Sequence, residues 1–563
     1  MDIKQIYAKD LLAIIGEHLT IEEIEKLIEV PNNASHGDLA FPAFSLAKIF
    51  RKAPQQIATD IAEELKAENY TRIDAVGPYI NVLLNRKPVG EDLIAHILTE
   101  GEHYGDSQLG QNEAMTIDMS SPNIAKPMSM GHLRSTVIGN AIANIANKTG
   151  YQAVRINHLG DWGTQFGKLI IAYKKWGDEE QVKANPINEL VKLYVEFHEE
   201  AEKDSTLDDE ARAAFKKLED GDEEMLSLWM WFKDESLKEF QKVYDILDIQ
   251  FDSYNGEAFY NDKMQAVIDE LEAKNITKID QGATIVDLED ENLPPALIKK
   301  SDGATLYVTR DLAAAIYRYN TYHFAKNVYV VGNEQSVHFK QLKAVLAKLG
   351  YEWYQNMDHV PFGLITLNGK KLSTRKGKIV LLEEVLNEAI ELASKQIEEK
   401  NPDLPNKEEV AQQVGVGAVV FHDLKTDRMN NFDFNLNEIV QFEGETGPYV
   451  QYAYARSMSM IRKYGKEINH TGQFALEDDY SWEIIKKLAD YPRIIERSID
   501  NYEPSIIAKY AIQLAQLFNK YYANVRILNE DEQLADRMKL VKATTIVLKD
   551  ALNLLGVKAP EEM

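Results

Sequence analysis

The sequence predicts an α/β protein built on a parallel sheet, with an N-terminal α+β domain and a C-terminal all-α helical bundle. Three observations predict it. From Met115 short alternating runs are followed by helical ones: MTIDM, then Leu133, Val137, Ala141, Ile142 and Ile145 at helical spacing, then AVRIN. Strand-helix-strand units of this kind close a parallel sheet whose ligands lie at the carboxyl ends of its strands. A Gly-rich joint, TEGEHYGDSQLGQNE, separates this grammar from what precedes it, and after about Pro405 strand patterns stop.

Residues 1–106 carry helical patterns in IEEIEKLIEV, LAFPAFSLAKIF and APQQIATDIAEELKAEN, followed by a short strand in GPYINVLLN. Residues 107–404 form the parallel-sheet domain. Its first helix ends at Lys148-Thr149-Gly150, with the glycine where a helix C-terminus favours one. A second unit, NVYVVGNEQSVHFKQLKAVLAKLGY, predicts a strand over Val328–Val331 and a helix from about Glu334 to Leu349. Between the units, the acidic helical stretch of about 175–250 is too long for a crossover and reads as an insertion. Asn368-Gly369 is a hairpin signal after a strand at Leu364–Leu367. Residues 405–563 hold EEVAQQVGVGAVVFHDL, YVQYAYARSMSMIRKYG, IIAKYAIQLAQLFNKYYANVRIL and DRMKLVKATTIVLKDALNLLG, a helical bundle.

Composition narrows the function. No run approaches the roughly 18 apolar residues of a membrane span, and the start, MDIKQIYAKDLLAIIGEHL, reads as an amphipathic helix rather than a secretory signal. A cytoplasmic protein is expected. The absence of cysteine excludes disulfides, thiolate metal sites and cysteine nucleophiles. A net charge of −27 opposes long-range attraction of polyanions, yet the charge is uneven. Residues 199–225 hold 12 acids against 4 bases, whereas Lys370–Lys378 hold five bases and no acid, so a polyanion can bind locally.

Four stretches carry candidate chemistry. In SPNIAKPMSMGHLRST a strand ends, a proline-bearing loop follows and Gly131-His132 opens a helix, whose free N–H groups and dipole suit phosphate. Gly131 lets a ligand approach the backbone, His132 can donate to a phosphoryl oxygen, and Lys126 supplies a point charge; a plain capped loop is the competing reading. LITLNGKKLSTRKGK places a cationic loop after a hairpin, able to close over a triphosphate, although a charge run alone is more often a solvated surface. In SDGATLYVTRDLAAAIYRY, Thr309 is expected to cap a helix with Asp311 in its first turn, which is structurally sufficient; functionally, Tyr307 and Asp311 offer a hydroxyl and a carboxylate to a cationic ligand. NHLGDWGTQFGKL packs three glycines beside Asn157, His158, Asp161 and Trp162, as a loop near a ligand or domain junction does. No divalent-metal cage stands out.

Taken together these residues resemble arginyl-tRNA synthetase of the bacterial type, a class I aminoacyl-tRNA synthetase, over essentially the whole chain. SSPNIAKPMSMGHLRST is similar to the family's His-x-Gly-His signature, Lys371-Leu372-Ser373-Thr374-Arg375 to its Lys-Met-Ser-Lys-Ser loop, and NHLGDWGTQFG and YVTRDLAA to family blocks. ETGPYVQYAYAR and DALNLLGVKAPEEM resemble its helical anticodon-binding domain; the Asp-Ala-Leu-Arg string that names it reads Asp550-Ala551-Leu552-Asn553.

The resemblance implies a Rossmann-like catalytic domain that makes arginyl-adenylate from L-arginine and ATP with Mg2+, then passes arginine to the terminal ribose of its tRNA. It also implies a monomer that needs tRNA even for the first step and holds no metal of its own. Catalysis falls to Lys126, His132 and Lys371, and ATP binding to Ser129, Gly131, His132, Lys371, Ser373, Arg375 and Lys376. Asp118, Asn123, His132, Tyr307, Asp311 and Gln335 would bind arginine; a guanidinium is a planar fork best read by a carboxylate with neutral acceptors. Asn81 would meet the tRNA elbow, and Tyr449, Tyr452 and Arg456, at i, i+3, i+7, the anticodon; half-buried packing is the competing reading for the two tyrosines.

Two positions depart from the family pattern. Ser129 replaces the first histidine of the signature and Thr374 the second lysine of the loop. In the family a lysine before the first signature substitutes for the missing one, and Lys126 stands there. Two alternatives remain open at this point: a tRNA-independent nucleotidyltransferase, and a non-catalytic paralogue that only binds tRNA or protein.

Overall fold

The computed structural model describes the chain except residues 1–2, 66–67, 302–306, 368–369, 373 and 376–377; the side chains at 34, 367, 370–371, 374–375 and 378–379 also lie outside the description. The first strands are β1 (Leu39–Pro42), β2 (Tyr70–Val76) and β3 (Tyr79–Leu84), an antiparallel sheet in the order β1-β3-β2. LAFP is therefore a strand and not the start of a helix. All four residues are buried, and a short, wholly apolar run has no period to distinguish the two.

The central sheet comprises β4 (Ala114–Asp118), β5 (Gln152–Ile156), β9 (Lys326–Val330) and β10 (Met357–Val360), all parallel, in the order β10-β9-β4-β5. The chain moves from β4 outward to β5 and returns on the other side of β4 with β9. Strand order thus reverses between β4 and β9, which is where an open parallel sheet leaves a crevice at its carboxyl edge. The helix Leu133–Lys148 follows β4 and is buried along most of its length.

Between β5 and β9 lie the helices Gln165–Trp176, Pro186–Ala201, Thr206–Glu219 and Glu223–Leu247, and then an antiparallel sheet of β6 (Thr277–Asp280), β7 (Ala283–Val286) and β8 (Ala296–Lys299). The helix carrying Asp311 starts at Tyr307, so Thr309 lies inside it; its hydroxyl donates to the Ile298 carbonyl at 2.6 Å instead of capping. Helices dominate after Pro405, but Phe432–Asp433 forms a two-residue strand parallel to Ile365–Leu367, too short to print a pattern in sequence. No helix among the described residues is long and apolar enough to cross a membrane.

The two ends of the chain meet. Trp482 Nε1 donates to Asp38 at 3.1 Å, Arg86 pairs with Asp479 at 2.9 Å, and the Tyr104 hydroxyl donates to the Leu488 carbonyl at 2.8 Å. The C-terminal part is clasped to the central domain by Arg134, buried in the helix after β4. Its Nε donates to Asp423 at 3.3 Å and its Nη1 to the Asn430 carbonyl at 2.9 Å, with the guanidinium over the rings of Phe362 and Phe432. Burial pushes the Asp423 carboxyl up, against the pull of Arg134. Arg134→Met strands Asp423 without a partner and should cost about 3–5 kcal/mol in a urea unfolding curve; adding Asp423→Leu should recover most of it, because an apolar pair of similar volume replaces the buried ions.

Candidate active site

At the carboxyl end of β4 the chain turns through Ser120 and Ser121, both left-handed, with φ of 68° and 52°. Non-glycine residues adopt this region at a cost of about 1–3 kcal/mol each, so hydrogen bonds must hold them there. The Ser120 N–H donates to Ser135 Oγ at 2.9 Å, and its hydroxyl meets the Tyr244 hydroxyl at 2.8 Å and receives Thr136 Oγ1 at 2.8 Å. The Ser121 N–H donates to Asn157 Oδ1 at 3.1 Å, and its hydroxyl donates to Asp118 and accepts from the His158 N–H. One turn therefore ties together the helix after β4, the NHLGDW block and the Glu223–Leu247 helix.

Beyond this turn a cavity of about 250 Å³ lies between Gly131 and His132 on one side and Val331, Gly332 and Phe362 on the other. A Cβ on Gly131 would meet only Ser129 Oγ, at 3.4 Å, so the backbone there is open to a ligand. His132 Nδ1 accepts from the Ser129 N–H at 3.1 Å, with the Ser129 hydroxyl 3.3 Å away. Burial holds the imidazole below its ordinary value, against the Ser129 backbone contact. A neutral ring that accepts at Nδ1 carries its proton on Nε2, ready to donate to a phosphoryl oxygen. Ser129 thus meets His132 Nδ1 through both its N–H and its hydroxyl.

The His132 segment and the cationic segment are joined by main chain. Ser129 bridges Leu381, the Met130 N–H donates to the Val380 carbonyl and the Leu382 N–H to the Met128 carbonyl, each at 3.0 Å. The cationic stretch therefore leaves from the signature loop itself. Ser373 and Lys376 lie outside the described residues; Lys371, Thr374 and Arg375 are described only as backbone in short strand pairs.

The carboxylate side of the crevice centres on Asp311, a quarter exposed. His338 Nε2 lies 2.5 Å from Oδ2 and His158 Nε2 3.9 Å from Oδ1. Burial alone raises this carboxyl, but the hydrogen bond from His338 and the charges of His338, His158 and Arg318 outweigh it and hold it below the usual range. Tyr307, 70% exposed, stands one turn before Asp311, and Gln335, exposed at the head of the Ser336–Leu349 helix, one turn before His338. Asn123 is exposed and paired through its backbone with Gly160, where a Cβ would come within 1.9 Å of its amide oxygen. Asp118 differs from expectation: it is buried and its Oδ2 accepts from Arg318 Nη2 at 2.8 Å, so its charge is already paired. His338, Arg318 and Glu257 escaped the sequence reading, because none belongs to a recognisable spacing and their partners lie tens of residues away.

The chain matches the model of class I tRNA synthetases (R), catalytic domain, over residues 93–436, the arginyl tRNA synthetase N-terminal domain over 2–84 and the DALR anticodon-binding domain over 450–563. It is 63% identical to the arginine–tRNA ligase of Enterococcus faecalis and 60% to that of Streptococcus thermophilus strain LMD-9, each covering 100% of both chains. The chain belongs to the arginyl-tRNA synthetase family. Its fold superposes on Thermus thermophilus arginyl-tRNA synthetase with a TM-score of 0.83 at 25% identity, over 100% of both chains.

Within this arginyl-tRNA synthetase framework the NHLGDW block is largely an anchor. Asp161, fully buried, accepts from Lys233 at 2.7 Å and from the Ala258 N–H at 2.8 Å, and its carbonyl accepts from Trp229 at 2.8 Å, pinning the Glu223–Leu247 helix. Lys126 is exposed and lines a second cavity, which shares His132 with the one described above. Asn81 differs from expectation: at 4% exposure it lies in β3 with its amide N–H donating to the His36 carbonyl at 2.8 Å, so its side chain is buried. Tyr449 is half-buried, while Arg456 lies between the rings of Tyr452 (4.9 Å) and Tyr522 (4.5 Å) and donates to Asn519 at 2.7 Å. Among the described residues no group of three or more His, Asp or Glu could hold a metal ion.

Glu257 borders Asp311. Burial and the charges of Asp311 and Asp161 push its carboxyl up to about 7, against the pull of Arg310. A carboxyl raised on folding contributes stability at low pH that is lost as pH rises through about 5 to 7. Glu257→Gln removes that loss, so the variant should gain about 1–3 kcal/mol on the parent between pH 5 and pH 8, read from unfolding curves at both pH values.

Proposed function

We propose that the chain is an arginine–tRNA ligase that joins L-arginine to ATP as arginyl-adenylate, releasing pyrophosphate, and transfers the arginyl group to the 3′-terminal ribose of its tRNA, releasing AMP. The observation that supports this best is the main-chain junction between the His132 segment and the cationic segment, over a cavity at the point where strand order reverses. Both halves of a triphosphate clamp start from one place.

In this reading His132 Nε2–H and Lys126 meet the phosphates, joined by Lys371 with Arg375 and Lys376, and Gly131 lets the nucleoside approach the backbone. Ser129 fixes the His132 ring. Asp311 takes the guanidinium fork, with Asn123, Tyr307 and Gln335 at the edges, and Asp118 acts at one remove by holding Arg318. A lysine could not satisfy the same fork, and a site that leaves polar groups unpaired discriminates strongly. Magnesium comes as part of the ATP substrate. A cytoplasmic location and a monomeric state come with the reading.

Asn81 positions the turn at His36 instead of touching tRNA, and Tyr452 with Tyr522 offers stacking faces to anticodon bases.

Arginine-dependent exchange of pyrophosphate into ATP tests the reading. Exchange only when the arginine tRNA is present is the expected result; exchange without tRNA points to a free-standing nucleotidyltransferase, and none in either condition to a binding protein. Lys126→Ala should slow tRNA-supported exchange about a hundredfold, about 2.7 kcal/mol of transition-state stabilisation. Near-parental exchange would remove Lys126 from the clamp.

A further inference from the structure

Among the described residues the ion-pair partners of Asp311 are both imidazoles: His338 Nε2 lies 2.5 Å from Oδ2 and His158 Nε2 lies 3.9 Å from Oδ1. Neighbouring carboxylates are held differently. Asp118 is buried against Arg318, and Asp161 against Lys233. We propose that His338 is a positioning residue for Asp311, taking one oxygen of the carboxylate and turning the rest of it toward the guanidinium of the substrate. The inference rests on the reading above, in which Asp311 receives the arginine side chain.

The kind of partner carries it. Arg318 and Lys233 neutralise the carboxylates they hold, which leaves those carboxylates little attraction for a cationic substrate. An imidazole can donate while uncharged, so it fixes the direction of a carboxylate and leaves the charge in place. An ionised carboxylate has about four lone-pair sites, so after His338 takes one at Oδ2 about three stay open to a planar fork. His158, at 3.9 Å, is beyond hydrogen-bonding distance, which makes Oδ1 the freer oxygen.

His338 is itself fixed. It stands in the first turn of the Ser336–Leu349 helix, and the ring of Phe339 is set at 79° to the imidazole with centroids 5.3 Å apart. Phe339 is buried and packs on the rings of Tyr329 at 4.7 Å and His359 at 4.5 Å, which belong to β9 and β10. Through the imidazole, the carboxylate is referenced to the parallel sheet.

The test is tRNA-supported exchange of pyrophosphate into ATP by the full chain, with KM for arginine and kcat read separately. His338→Ala should raise KM about 10- to 100-fold, the range of one hydrogen bond to a charged group, with kcat within about threefold of the parent. His338→Gln, whose amide can donate from the place of Nε2, should bring KM back close to the parent value. Asp311→Ala should lower kcat/KM for arginine, and adding His338→Ala to it should lower it no further, because the two side chains act as one unit.

Acidity gives a second readout. Burial pushes the Asp311 carboxyl up, and His338, His158 and Arg318 outweigh it; the charges of Arg310 and Glu257 and the Tyr329 hydroxyl also act on it. Without His338 the carboxyl takes up its proton at higher pH, so from about pH 8 to about pH 6 the KM of His338→Ala should climb more steeply than that of the parent. Glu257, pushed up to about 7, titrates over this window in both proteins, and the comparison removes its effect.

The assignment is overturned by a parental KM in His338→Ala, by a His338→Gln no better than His338→Ala, by a further loss on combining the two alanines, or by an unaltered pH dependence. An unchanged kcat/KM in Asp311→Ala overturns the placement of arginine at Asp311, and the inference falls with it. Absence of exchange in the parent overturns the ligase reading itself, so the failures are distinguishable.

Discussion

The arrangement of the site depends on the left-handed turn at Ser120-Ser121. A strand that ends under a parallel sheet's crevice must release its chain sideways, and here it does so through two serines in a conformation that neither favours. Their polar groups are met by Ser135 and Thr136 of the helix after β4, Tyr244 of the Glu223–Leu247 helix, Asn157 and His158 of the NHLGDW block, and Asp118 of β4. Each partner is thereby located relative to the others by a bond of about 3 Å. Glycine would relieve the strain but would remove the hydroxyls that make the connections.

Two buried ion pairs hold the elements that meet there, and neither is chiefly a source of stability. Asp118–Arg318 leaves Arg318 Nε and Nη1 without hydrogen-bond partners, and Arg134–Asp423 leaves Arg134 Nη2 and Asp423 Oδ2 in the same position. Taking such charges out of water costs several kcal/mol that an incomplete set of bonds does not recover. Their effect is on geometry. Arg318 fixes the Asp311 helix against β4, and Arg134 fixes the helix after β4 against the C-terminal part, so the carboxylate side and the nucleotide side of the crevice keep a set separation.

Elements with a long period were readable from sequence: the buried helix after β4, the helices of the C-terminal part, and the alternation that marks β4 and β5. Those without one were not. LAFP has too few residues to separate strand from helix, YTRIDAV is half-exposed on both faces, and Phe432–Asp433 is two residues long. At the site, motif residues such as Gly131 and His132 declare themselves by adjacency, whereas His338 reaches Asp311 across 27 positions and Arg318 reaches Asp118 across 200. Asn81 illustrates the opposite error. The resemblance gives it a place at the tRNA elbow, but the strand is central in its sheet, flanked by both neighbours, and the amide is buried with its N–H donating to the His36 carbonyl.

Arg456 shows that spacing places residues on one helix without revealing their partners. Tyr449, Tyr452 and Arg456 share a helix, Gly447–Tyr464, where the guanidinium lies over two rings and its Nη1 donates to Asn519. The ladder extends further: Phe442 stacks on Tyr452 at 6.1 Å, and Lys400 lies 4.4 Å from the Phe442 ring. Alternating cations and rings brace each other, each cation–π contact contributing about 0.5–2 kcal/mol. What such a braced ladder presents outward is the faces and edges of Tyr452 and Tyr522, 36% and 46% exposed. Rings held in this way offer stacking faces at little loss of side-chain entropy.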